Sequence, residues 1–289
     1  MASKLDHSKR NPQALRQYVL STKGDLIDTD LMVNLLWLSV TLLACQAGFQ
    51  RQQCNRTEHS MSTFLLLHGA YQGGWIWKPI AERLQAQGHN VYAPTLDGCA
   101  ERAHQLRVGI TTESHAEEMI QFLHFHDLND VILVGTSSGG MVMARLAELA
   151  PERFRRLVFA DALMLMDGEK IRDIVTRPAA INTDLALGPS QEDAEERLLA
   201  GLDPALRRWT AERFTLHPTA VFHQPVKLEK FWDMSWQASV LYCSQAANPG
   251  EAHLRRGADK MGATWHVIDT GHYPMLSTPD ALMDVILAE

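Results

Sequence analysis

Beyond residue 60 the chain alternates short apolar runs with longer stretches in which apolar residues recur at helical spacing. The runs are Phe64–Leu67, Asn90–Ala93, Val131–Val134, Leu157–Ala160, Ser239–Tyr242 and Trp265–Ile268. Brief runs of this kind predict strands buried on both faces, as in a parallel sheet covered by helices. The intervening pattern predicts helices over Pro79–Gln87, Ser114–His126, Met141–Ala150, Glu251–Met261 and Pro279–Leu287. Gly88 and Pro151 stop the first and third of these. The expected class is α/β, a mostly parallel sheet flanked by helices.

Two segments break the rhythm. Residues 164–232 are rich in Pro, Leu, Arg and Glu and carry helical patterns over Glu192–Leu199 and Pro204–Phe214. That is too long for a structureless loop, so an inserted helical cap is expected. Its apolar residues Leu185, Leu187, Trp209, Phe214, Phe222 and Trp232 would wall a pocket or pack as ordinary core. Residues 1–60 read as an extension outside the core. Within it Leu31–Gly48 is apolar and approaches the length of a membrane-spanning helix. A signal-type apolar region is the other reading, but Asp25, Asp28 and Asp30 precede the run where positive charge is expected. A start at Met61, directly before the first strand, is the favoured reading, with a cytoplasmic protein as its consequence. Export or tethering through the N-terminal segment is the alternative, and membrane contact is expected only if residues 31–48 are an anchor.

Composition narrows the functions. The 289 residues are 46% hydrophobic and 21% charged, with net charge −7, enough for one large globular domain. Mild acidity without a basic stripe argues against nucleic-acid binding. Cys45, Cys54, Cys99 and Cys243 contain no Cys-x-x-Cys pair, so neither structural zinc nor a disulfide framework is expected. No cofactor or metal is implied, and a homodimer is left open.

Chemistry concentrates at strand ends. Val131–Val134 runs into Gly135-Thr136-Ser137-Ser138-Gly139 and then a helical pattern. Gly-x-Ser-x-Gly between a strand and a helix is the nucleophile elbow of the α/β-hydrolase fold. The serine needs a strained turn with glycine neighbours for close backbone approach, and it sits at a helix N-terminus that favours developing negative charge. Phe64–Leu67 ends in His68-Gly69-Ala70, and Val267-Ile268-Asp269 leads to Gly271-His272-Tyr273-Pro274. Serine ahead of histidine is the chain order of this fold. Ser137 is therefore the expected nucleophile and His272 its general base. The backbone N–H groups of Ser138 and Ala70 are the expected oxyanion hole, with Tyr71 the alternative to Ala70. Tyr71, Trp209 and Phe214 are the expected substrate-pocket residues.

The run His68–His104, together with Leu157–Glu169 and Gly271–Leu282, resembles one α/β-hydrolase branch over about Met61–Glu289. That branch contains plant salicylate-ester-type methylesterases, hydroxynitrile lyases, pyrethroid esterases and carbendazim hydrolases. The resemblance implies a carboxylesterase-type serine hydrolase that cleaves a small carboxylic ester, carbamate or amide through an acyl-enzyme. It also places the triad acid after the strand Val240–Cys243, in a segment like Cys-Thr-x-Asp. Here that segment reads Cys243-Ser244-Gln245-Ala246, so alanine stands at the acid position. Asp161, at the end of the preceding strand, is the leading substitute, with Asn248, Glu251 and Asp269 behind it. Lyases of the branch resemble a variant with threonine at position 69 and lysine at 273, whereas this chain has Gly69 and Tyr273. A cofactor-free dioxygenase and a non-catalytic ligand-binding homologue are the remaining alternatives.

Overall fold

The computed structural model describes residues 18–20, 26–28, 61–175 and 179–288. Contacts divide the chain into two compact units, Met1–Ser60 and Met61–Glu289. In the first unit, β1 (Tyr18–Leu20) and β2 (Leu26–Asp28) form an antiparallel pair. The apolar stretch Leu31–Gly48 lies outside the described residues, as do Cys45 and Cys54. No helix among the described residues is long and apolar enough to cross a membrane.

The second unit is built on a six-stranded sheet. Its strands are β3 (Thr63–Leu67), β4 (Asn90–Tyr92), β5 (Val131–Ser137), β6 (Phe154–Ala162), β10 (Ala238–Cys243) and β11 (Thr264–Ile268). They run in the order β11-β10-β6-β5-β3-β4, and every pairing is parallel. Side chains alternate between two apolar layers. Leu65, Leu67, Leu133, Leu157 and Phe159 enter one layer, and Phe64, Leu66, Val134, Val158 and Ala160 enter the other. Burial on both faces explains why these strands read as continuous apolar runs rather than as alternating patterns.

Helices Thr112–Phe125, Gly139–Leu149 and Glu251–Met261 cover the first layer through Met119, Leu123, Met143 and Leu254. Lys78–Ala86 and Pro279–Leu287 cover the second through Ile80, Leu84, Leu282 and Ile286. Their ends follow local chemistry. Thr111 Oγ1 accepts the Ser114 N–H at 3.1 Å while Ser114 Oγ accepts the Thr111 N–H at 2.8 Å, a reciprocal cap. Glu251–Met261 stops at Gly262, whose φ of +63° is the left-handed conformation of a helix end.

Between β6 and β10 the chain leaves the sheet. The expected all-helical insertion is instead mixed. It contains a small antiparallel ladder of β7 (Ile181–Asn182), β8 (Ala186–Gly188) and β9 (His217–Pro218) beside short helices. The pattern at Glu192–Leu199 becomes one α-turn followed by a π-helical stretch over Ala194–Leu198. The helix expected over Pro204–Phe214 ends at Ala211. Ladder pairing depends on partners distant in sequence, so helical periodicity could not reveal it. Thr215 ties the insertion to the core. Its N–H donates to the Tyr71 carbonyl at 2.9 Å, and its Oγ1 accepts the Ala100 N–H at 2.9 Å.

Candidate active site

The site forms where the central strands end. β5 extends through the Gly-x-Ser element and terminates at Ser137, where φ is +52°. A non-glycine residue held there is strained, and the surroundings allow it only through close backbone packing. A Cβ on Gly139 would lie 2.6 Å from both the Leu67 and the His68 carbonyl oxygens. A Cβ on Gly69 would lie 2.5 Å from the Cβ of Ser137. The glycines thus let the β3 loop, the serine turn and the helix N-terminus share one small volume.

His68, the first residue of the His-Gly-Ala element, is fully buried and structural. Its Nδ1–H donates to the Gly69 carbonyl at 2.8 Å and its Nε2 accepts the Leu96 N–H at 3.0 Å. Burial pushes its pKa down to about 4, so the ring is neutral. It braces the loop that carries Ala70 and Tyr71. Gly69 N–H donates to Gln72 Oε1 at 3.1 Å, which fixes the same turn.

His272 follows β11 and reaches back across the sheet edge. Its Nδ1–H donates to Asp161 Oδ2 at 2.6 Å. Asp161 has no exposed surface, and its second oxygen accepts the Cys243 N–H at 3.2 Å. Like Ser137, it adopts a left-handed backbone, with φ of +50°. β6 and β10 are parallel neighbours in register, Ala160 beside Leu241, so both end at the same edge of the sheet. The other carboxylate candidates are engaged elsewhere: Asp269 accepts from Ser244 Oγ at 2.6 Å, and Glu251 pairs with Arg255 at 3.5 Å. Ala246 packs at the margin of the second apolar layer.

Ser137 and His272 line one cavity of about 470 Å³ together with Ala70, Tyr71, Ser138 and Tyr273. Among the described residues, neither the Ala70 nor the Ser138 N–H donates to another turn or loop group. Ser138 sits at the N-cap position of the helix Gly139–Leu149 without a side-chain cap hydrogen bond, and the free N–H groups of that helix end carry partial positive charge.

Of the expected pocket residues, Tyr71 lines the cavity, whereas Trp209 and Phe214 are not among its lining residues. Trp209 packs edge-on against Trp75, with centroids 5.4 Å apart, and Phe214 lies against Tyr71, Trp75 and Tyr273. Both act behind the wall rather than in it. Of the other candidate cap residues, Leu187 and Phe222 line the cavity, Leu185 is exposed, and Trp232 donates its Nε1–H to the Leu165 carbonyl. The cavity also takes in Ile171, Val175, Arg172, Arg197 and His223, none of which sequence patterning selected. They fall on short segments of the insertion between β6 and β10 with no long-range periodicity to mark a buried face. Among the described residues no group of three or more His, Cys, Asp or Glu side chains is arranged to hold a metal.

The sequence pattern of the alpha/beta hydrolase family matches residues 64–285, and the chain belongs to that family. It is 36% identical over 117 residues to a carbendazim hydrolyzing esterase of Nocardioides sp. (strain SG-4G), covering 40% of this chain and 48% of that protein. It is 33% identical over 102 residues to an alpha-hydroxynitrile lyase of Arabidopsis thaliana, covering 35% of this chain and 40% of that one. The matches thus span about half the length of these curated relatives or less. Among solved structures, an extracellular alpha/beta-hydrolase from a Paenibacillus species superposes with TM-score 0.69 at 21% identity, covering 78% of this chain and 98% of that one. A pyrethroid hydrolase from Sphingobium faniae JZ-2 gives TM-score 0.60 at 20% identity, covering 78% and 96%. At these identities the superpositions establish the fold.

Proposed function

We propose that the protein is a carboxylesterase-type serine hydrolase that cleaves a small ester, carbamate or amide through an acyl-enzyme on Ser137. The observation that carries this reading is the 2.6 Å contact between His272 Nδ1 and the fully buried carboxylate of Asp161. A carboxylate there fixes the imidazole tautomer, leaving Nε2 as a proton acceptor, and stabilises the imidazolium formed when Ser137 gives up its proton. Ser137 Oγ attacks the carbonyl carbon and His272 takes the hydroxyl proton. The developing oxyanion is met by the Ala70 and Ser138 N–H groups. His272 then returns the proton to the leaving group, and water repeats the sequence in reverse to release the acid. No cofactor enters these steps. The esterase and methylesterase relatives support the same reading.

The lyase alternative meets a steric obstacle. Lyases of this branch resemble a variant with threonine after the first histidine, and position 69 has no room for even a Cβ beside Ser137. The test is a panel of p-nitrophenyl esters, an aryl carbamate and a cyanohydrin, run on wild type and on Ser137→Ala and Asp161→Asn. Ester turnover abolished by the first variant and lowered by about 10⁴-fold in the second supports the reading. Cyanohydrin cleavage without ester turnover contradicts it, as does near-wild-type turnover in Asp161→Asn.

A further inference from the structure

The charge of the cavity wall opposes the charge of the chain. The protein carries a net charge of −7, yet no carboxylate among the described residues lines the cavity. Its ionisable lining instead includes Arg172, Arg197, His223 and His272. The two arginines differ. Arg197 is paired with Asp193, with NH1 to Oδ1 at 2.6 Å, so its charge is largely offset. Arg172, on the short helix Ile171–Ile174, has no carboxylate at ion-pair distance among the described residues. Its neighbour Asp173 instead accepts the Lys170 N–H at 2.8 Å. Arg172 NH1 approaches His223 Nε2 at 3.5 Å, and desolvation together with the nearby Arg172 and Lys170 charges holds His223 below its ordinary pKa. A histidine carries no negative charge, so His223 offsets none of the Arg172 charge. Asn182 adds a neutral polar group to the same wall, while Ile171, Val175, Leu187 and Phe222 supply apolar surface.

We propose that Arg172 is a specificity-determining residue that receives an anionic group, a carboxylate, on the part of the substrate remote from the scissile carbonyl. The inference rests on the esterase reading above and names its substrate class: an ester bearing an apolar arm that ends in a carboxylate. The apolar wall takes the arm, and the planar guanidinium offers two parallel N–H donors to the terminal carboxylate. The cavity volume is within the range that encloses a small organic ligand, and Ser137 and Arg172 both line it.

The experiment uses the full chain and two matched substrate pairs. Mono-p-nitrophenyl suberate is compared with p-nitrophenyl octanoate, which places the carboxylate on the acyl side. The 4-carboxyphenyl and phenyl esters of octanoic acid place it on the alcohol side. In wild type at least one pair should show an anionic-to-neutral ratio of kcat/KM of about ten, equivalent to about 1.4 kcal/mol. The ratio should fall to near one in Arg172→Ala, be partly kept in Arg172→Lys, and shrink in high salt. Neutral esters favoured in both pairs, or a preference that survives Arg172→Ala, overturns the proposal. A second readout separates it from the esterase reading: calorimetric binding of suberate to Ser137→Ala and to Ser137→Ala/Arg172→Ala. Arg172-dependent binding without turnover of any ester leaves the anion site standing and removes the esterase. Turnover of neutral esters with no Arg172-dependent binding does the reverse.

Discussion

Ser137 and Asp161 end adjacent parallel strands, and both hold left-handed backbones, with φ of +52° and +50°. Each such residue costs about 1–2 kcal/mol relative to an unstrained position. Two strained residues at neighbouring strand ends, one hydrogen-bonded to His272 and the other lining the same cavity as His272, are the mark of a site whose geometry is imposed by its surroundings. The comparison of Ser137→Gly with Ser137→Ala isolates the strain, since both lack the hydroxyl and only alanine keeps a Cβ. The glycine variant should be the more stable by about 1 kcal/mol in urea denaturation. Equal stability would mean that the turn is not strained. Gly139→Ala probes the same crowding from the other side. Its Cβ would meet two carbonyl oxygens at 2.6 Å, so the helix N-terminus must shift. The variant should lose about 1–3 kcal/mol of stability and most of its activity. An unchanged melting temperature would contradict this packing.

At the scale of elements, buried polar contacts fix the sheet to its covering helices. Arg156 on β6 is buried, and its guanidinium donates to the Val285 and Ile286 carbonyls at 3.0 and 2.9 Å and to Ser239 Oγ at 2.8 Å. Val285 and Ile286 lie in the last turn of Pro279–Leu287, where carbonyls lack helical partners and cations are favoured. Arg156→Met should therefore cost about 2 kcal/mol or more in equilibrium unfolding, because it strands buried acceptors. A loss below about 0.5 kcal/mol would show the contact to be dispensable. The elements themselves were legible wherever one physical pattern dominated. Glu251–Met261 and Pro279–Leu287 match the helices expected from periodicity, and the six apolar runs all became strands of the sheet. That Ser137 and His272 would meet at one cavity was legible because strand ends and glycines flank them. The pocket was not. Arg172, Arg197 and His223 reach the cavity through the tertiary path of short segments between β6 and β10, and an exposed arginine in a polar stretch looks like any solvated surface residue. Trp209 and Phe214, the conspicuous aromatics, support the wall from behind. Asp161 was named as a candidate from its place at a strand end, and its carboxylate accepts from His272 Nδ1 in the structure.

At the scale of the whole molecule, buried neutral histidines link stability to pH. Burial lowers the pKa of His68 and of His253 to about 4, against 6.5 in an unfolded chain, with the Arg256 charge a further cause at His253. His253 Nε2 accepts the Met164 N–H at 2.8 Å, a role that protonation would abolish. Because the folded pKa is lowered, the stabilisation is complete above about pH 6.5 and is lost as pH falls from there toward 4, where the unfolded chain binds protons that the folded one refuses. The urea midpoint should therefore fall steeply between pH 7 and 5, and His68→Gln should flatten that slope. A midpoint independent of pH over this range would contradict the buried, neutral histidines. Under the proposed function, the left-handed serine turn and the buried His272–Asp161 contact serve to make Ser137 a nucleophile. The most direct test is rapid-quench intact-mass analysis of the full chain mixed with p-nitrophenyl butyrate, followed by peptide mapping. A transient butyryl adduct confined to Ser137, formed in a burst and absent from Ser137→Ala, is the expected result. Steady turnover in Ser137→Ala, or an adduct carried by another residue, would contradict it.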